Sequence, residues 1–328
     1  MGRDNLIARL KGEAEEQYRI FNQKFVLTNK NVMLGVKVPR MRSIAREIAG
    51  GDWEDFLMGY GFCVGGPGTD AENGVASGAA SGATSEVAFE AASETASASA
   101  SGATSASVVK TAKFEKQRER QQQREELCRT IFFEEVMIIG MVIDLINVEP
   151  ARRLVLVEQF VPLIDNWAVC DVFCGGAKWV GEPGRGPKSC NKVPLEQMWE
   201  FLQRYLFPDM RECHIQSESA GKNLQRKCSG ANPQGSMEFE IRFGVVMLMS
   251  YFLTEEYIGK VLLQMEKVRK GDYYVDMAVA WCLATARAKF DEKTQEFVRN
   301  ACLTPSVIKK YEQKVRDSLR VRGSKKQF

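Results

Sequence analysis

Trp167 and Asp171 stand four residues apart within residues 160–175, FVPLIDNWAVCDVFCG, a stretch otherwise apolar enough for a buried or half-buried helix. Helical spacing puts both on one face, the carboxylate one turn beyond the indole. A carboxylate in an apolar segment is costly unless it is paired, hydrogen-bonded or solvated in a cleft. A cleft is also where carboxylates do acid–base and electrostatic chemistry. The plainer alternative makes Asp165 a helix cap and ties Asp171 to a basic neighbour, and periodicity alone favours it.

Three other segments carry residues of the same kind. Arg242 sits in MEFEIRFGVVMLMSYF, a stretch so apolar that its guanidinium needs a partner, with Asp171 one candidate. Trp281 sits in YYVDMAVAWCLATARAKF beside Ala278, Ala280 and Ala284, small neighbours that let an indole pack into a groove or stand exposed in one. Lys314, Arg316, Arg320 and Arg322 crowd the C-terminal stretch YEQKVRDSLRVRGSKK. Taken singly, core packing accounts for Trp281, a buried ion pair for Arg242 and a solvated helix end for the basic tail.

The remaining chemistry is narrow. His214 is the only histidine, adjacent to Cys213, which argues against histidine metal sites and against Ser-His or Cys-His catalysis. Acid–base work therefore falls to a carboxylate. The nine cysteines are scattered; Cys128, Cys170, Cys174 and Cys282 lie in apolar helical segments, where cysteine acts as a small core residue. No apolar run is long enough to span a bilayer and no signal-peptide pattern opens the chain, so an intracellular protein is expected, nuclear or cytoplasmic. Net charge is +3, unevenly spread: residues 64–107 carry five acids and no Lys or Arg, which leaves +8 on the rest. Residues 309–328 carry eight Lys or Arg against two acids. Such a body allows a polyanionic partner.

The elements that position these residues all read as helices. Residues 3–25 carry Leu6, Ile7, Leu10, Ala14, Tyr18 and Phe21 at helical spacing. Gly35 and Pro39 break the chain before a helix whose apolar face is Met41, Ile44, Ala45 and Ile48, and Gly50-Gly51 ends it. Asp52 is placed to cap the next helix, from Trp53. Residues 113–126 predict a solvated helix, and an apolar core helix follows them. Further helices are predicted over 152–164, 167–173, 195–206, 238–252, 255–267, 273–289, 292–300 and 305–319. No run alternates as a strand would. The pattern predicts an all-α fold of helical hairpins stacked around a continuous core, in one domain over 1–328. Two insertions interrupt it. One, at 64–112, is low in complexity and too poor in apolar surface to offset its ordering entropy; the other, at 208–236, is a polar loop.

In order along the chain, VMLGVKVPRMRSIAREIAGGDWEDFL, EEVMIIGMVIDLI, FVPLIDNWAVCDVFC, FEIRFGVVMLMSYF, GDYYVDMAVAWCLA and the KVRDSLRV tail resemble the DNA alkylation repair (AlkD-like) family. These pieces cover nearly the whole chain outside the insertions. The resemblance implies a superhelix of HEAT-like hairpins that excises cationic N3- or N7-alkylated purines from duplex DNA, as a monomer without metal or cofactor. Carried over, the family's catalytic aspartate falls on Asp171, its aromatic partners on Trp167 and Trp281, and its backbone-binding arginine on Arg242. The basic tail, with Lys314, Arg316 and Arg320, would follow the DNA backbone. The chain departs from the best-characterised branch twice. Asn166, Trp167 and Ala168 replace a doubled tryptophan and a second acid, and Ala284 stands where an arginine would follow Trp281. Arg287, one turn on, is the candidate replacement.

Two functions thus follow. A glycosylase should expose Asp171 between Trp167 and Trp281. A helical-repeat module that binds DNA backbone or a protein partner, without catalysis, should show Asp171 sealed in an ion pair.

Overall fold

Apolar side chains recur at helical spacing through these segments, and the structure is built of helices accordingly. The computed structural model describes residues 1–26, 31–64, 131–182, 191–208, 237–268 and 271–318. Among these residues run thirteen α-helices and no strand. They are α1 (Arg3–Glu13), α2 (Glu16–Gln23), α3 (Val38–Ala49), α4 (Trp53–Met58), α5 (Phe133–Leu145), α6 (Pro150–Phe160), α7 (Trp167–Gly176), α8 (Leu195–Leu206), α9 (Glu238–Tyr251), α10 (Ile258–Lys267), α11 (Tyr273–Lys289), α12 (Asp291–Asn300) and α13 (Pro305–Asp317). A 3-10 turn, Val161–Leu163, joins α6 towards α7. The expected insertions lie outside the described residues except for Val64 and Pro208, as does the helix expected over 113–126.

From α3 onward the helices form two layers. α3, α5, α7, α9, α11 and α13 each pack on the next of that series, while α4, α6, α8, α10 and α12 lie against one or two of its members. This is the all-α superhelix of HEAT-like hairpins, in which no hairpin buries its apolar face alone and each covers its neighbour. The layering explains the composition of each helix. α5 and α9 have neighbours on both sides and are buried along nearly their whole lengths, including every residue from Phe133 to Ile143 of α5. α3, with a solvent side, buries only Met41, Ile44, Ala45 and Ile48, the stripe its periodicity predicts. Buried apolar side chains from Leu6 to Tyr311 form one contiguous cluster.

The single helix expected over residues 3–25 is two. Ala14 and Glu15 are extended, and the Glu15 N–H donates to the Gly35 carbonyl at 3.0 Å. Gly35 has φ of +100°, and a Cβ there would lie 2.6 Å from the Glu15 carbonyl oxygen, so glycine is required twice over. Glu134, fully buried at the head of α5, holds this crossing. Its carboxylate accepts from the N–H groups of Leu34, Gly35 and Val36 at 3.0, 2.7 and 3.2 Å. The tie between two distant segments overrides a local helical preference.

Candidate functional site

Asn166 starts α7. Its side-chain oxygen accepts from the Val169 N–H at 3.0 Å, and its amide donates to Asp165 at 2.7 Å. The cap is therefore Asn166 and not Asp165, because the extended backbone at Asn166 swings its side chain over the helix end. Asp165 is buried and anchors the capping amide. α7 then buries Val169, Cys170, Phe173 and Cys174 between α5 and α9, leaving Trp167 and Asp171 half-buried.

Asp171 is met by Arg242 of α9. Nε donates to Oδ1 at 3.0 Å and Nη2 to Oδ2 at 2.8 Å, a bidentate pair, while Nη1 donates to the Tyr274 carbonyl of α11 at 3.0 Å. One guanidinium thus ties α7, α9 and α11 together. The side chains of Arg242 and Asp171 are 6% and 18% exposed, so the carboxylate is paired yet still reached by solvent. Burial pushes the Asp171 carboxyl above the usual range, and Arg242, then Lys314, draws it part of the way back. The same contact raises Arg242 despite its burial, which keeps the guanidinium charged.

Lys314 reaches this pair from α13. Its ammonium lies 5.7 Å from the centre of the Trp281 ring, half-buried, and its pKa is lowered by burial and by Arg242 while Asp171 opposes the shift. Asp171, Arg242, Lys314 and Trp281, drawn from four helices, therefore lie together. Trp167, one turn before Asp171, turns its indole to the end of α2, where Nε1–H donates to the Phe25 carbonyl at 3.0 Å.

Two other candidates are engaged elsewhere. Arg287 donates to Asp291 at 3.0 Å and to the Tyr311 hydroxyl at 3.3 Å, binding α11 to α12 and α13. Arg316 is exposed, 3.8 Å from Glu312. Arg320 lies outside the described residues.

Sequence reasoning missed Tyr274, which contributes only a backbone carbonyl and so has no side-chain signature. It also missed a polar cluster at the other end of α5 and α7. There Asp144 accepts from Trp179 Nε1–H at 2.8 Å, the Arg153 guanidinium lies 5.4 Å from the Trp179 ring centre, and burial holds the Asp144 carboxyl well above its usual range. A lone carboxylate in an apolar helix was the available signal, the same one that marks Asp171. Among the described residues no cluster of three or more His, Cys, Asp or Glu is placed to hold a metal, and no helix is long and apolar enough to cross a membrane.

Fold and site together define an all-α helical-repeat protein with a bidentate carboxylate–guanidinium pair, two half-buried indoles and a second cation carried by α7, α9, α11 and α13. No family model, curated protein or solved structure matches the chain.

Proposed function

We propose that this chain is a DNA-repair glycosylase that hydrolyses the N-glycosidic bond of cationic N3- or N7-alkylated purines in duplex DNA. The observation that supports the reading is that Asp171, although paired with Arg242, is not sealed: its side chain is 18% exposed, one helical turn from Trp167 and in the field of Lys314, which stands over Trp281.

The chemistry suits these groups. An alkylpurinium is already a good leaving group, so no strong general acid is needed. What helps is negative charge beside the sugar C1′ and a base for the attacking water. Arg242 takes one acceptor site on each Asp171 oxygen, and each oxygen keeps capacity for a second hydrogen bond, from water. Burial makes that carboxylate more basic than an exposed one. Indole faces attract a cationic nucleobase and not a neutral one. The test is release of free base from a duplex containing N7-methylguanine, by purified wild type and by Asp171→Asn. Release by the first and not the second supports the assignment; no release by wild type removes it.

One observation favours a second reading. The bidentate pair neutralises much of the Asp171 charge, as suits a module that binds DNA backbone without excision. That reading predicts duplex affinity with no base release.

A further inference from the structure

Tyr274 is the second residue of α11, so its N–H is one of the first in that helix, which have no partner within it. Asp272, at the capping position, makes no side-chain cap bond. The partner comes from another helix: Glu238 of α9 accepts from the Tyr274 N–H at 2.5 Å. One turn further along α9, Arg242 donates to the Tyr274 carbonyl at 3.0 Å. Phe239 of the same helix packs its ring on that of Tyr274, with centres 5.1 Å apart. Two side chains at i and i+4 on α9 thus hold one residue of α11 by its N–H and by its carbonyl. The second of them is the residue that pairs with Asp171.

We propose that Glu238 is a positioning residue for Asp171: by fixing Tyr274 against α9, it fixes the direction in which Arg242 presents its other donors. A guanidinium is planar. The bond from Nη1 to the Tyr274 carbonyl therefore sets where the other edge, Nε and Nη2, meets the carboxylate. Without Glu238 the Tyr274 N–H loses its protein partner, the carbonyl beyond it loses its fixed place, and the edge facing Asp171 turns with it. Trp281 lies seven residues after Tyr274 on the same face of α11, so the same anchor sets where that indole stands. Glu238 acts through Tyr274 and Arg242 alone. Its effect on excision rests on the glycosylase reading above, whereas its effect on the Asp171 carboxyl does not.

The experiment follows the titration of the Asp171 carboxyl by carbon NMR of the aspartate-labelled full chain, its resonance assigned by its loss in Asp171→Asn. Wild type is compared with Glu238→Ala, Glu238→Gln and Glu240→Ala. Glu240 lies in the same first turn of α9 and controls for loss of an acid there. The groups around the carboxyl stay the same in every variant: Arg242 of α9 with the Tyr274 phenol near it, Lys314 of α13 in the field of Asp317, and Cys174 on its own helix. Two routes of action differ in sign. Through its field alone, removing a negative charge lowers the Asp171 pKa, and equally in Glu238→Ala and Glu238→Gln. Through Arg242, Glu238→Ala raises it, because the paired guanidinium is misaligned. Glu238→Gln keeps an oxygen that accepts from Tyr274 and leaves the titration near wild type. This second pattern, with no shift in Glu240→Ala, is expected. A fall in both Glu238 variants, no shift in Glu238→Ala, or a lower melting temperature with the titration unchanged overturns the proposal. Base release by Glu238→Ala should fall roughly tenfold or more, with duplex affinity within about threefold of wild type and most of the rate recovered in Glu238→Gln. A Glu238→Ala protein that excises at the wild-type rate overturns the positioning role. A wild type that releases no base removes the parent reading, and the titration still decides the clamp.

Discussion

At the scale of the residue, Asp171 and Arg242 form a pair whose two halves cannot be judged separately. Taking both charges out of water costs about as much as their attraction returns, so the intact pair is not a source of stability. Removing one partner strands the other. Asp171→Asn should therefore lower the urea-derived stability, towards the lower end of roughly 3–5 kcal/mol because the carboxylate is partly solvated. The double variant Asp171→Asn/Arg242→Gln should recover much of that loss, since no charge is left unpaired. Excision by Asp171→Asn should fall on the order of a hundredfold or more. A variant that keeps its stability and excises at the wild-type rate would end the catalytic assignment. The pH profile carries a second test. The base must be ionised, so excision should be full at high pH and decline as pH falls through the Asp171 pKa, which burial places above the ordinary 3.8. An excision profile flat through the acid range would show that Asp171 is not the base.

At the scale of the element, α7 is placed by its neighbours on both sides. α5 sits beneath it, and Gly140 lets α6 approach α5 closely: a Cβ there would lie 2.7 Å from the Phe160 ring. Phe160 in turn packs against Phe173 of α7, with ring centres 4.7 Å apart and the planes tilted by 59°. Gly140→Ala should therefore cost roughly 1–3 kcal/mol by overpacking, set against the few tenths to 1 kcal/mol that alanine gains in a helix. Because the displaced ring touches α7, the same substitution should also reduce excision at temperatures where the protein remains folded. Thermal melts alongside base release check both; a Gly140→Ala protein of wild-type melting temperature would show that the contact yields freely.

At the scale of the whole molecule, charge and chain length decide what the body tolerates. Residues 65–107 are small, polar and opposite in charge to the rest. Val64, which the composition places at the head of the insertion, is 8% exposed and belongs to the core, so a deletion must begin after it. Replacing 65–107 by a short flexible linker should leave the melting temperature within a few degrees of wild type, because lengthening or shortening a surface connection changes closure entropy only slowly. A large drop on deletion would show that the segment packs. Duplex affinity should fall steeply with salt and show little sequence preference, measured over unrelated duplexes.

Fold class and helix placement were legible because they rest on local periodicity: Leu195–Leu206 and Tyr273–Lys289 are read directly from where apolar residues recur. So were the candidates themselves, since a carboxylate, a guanidinium and an indole inside apolar helices each demand an explanation. Partnership was not legible. Periodicity states which face of a helix is buried and not which residue of another helix meets it. The sequence alone therefore left Asp171 either free in a cleft or tied to a cation. Only the packing of α7, α9, α11 and α13 brought Arg242 to both carboxylate oxygens and Lys314 to Trp281, and sent Arg287 to Tyr311. The break at Ala14–Glu15 has the same origin. There the Glu15 N–H meets the Gly35 carbonyl, and Gly35 with its neighbours Leu34 and Val36 is held by the buried Glu134 carboxylate about a hundred residues further along the chain.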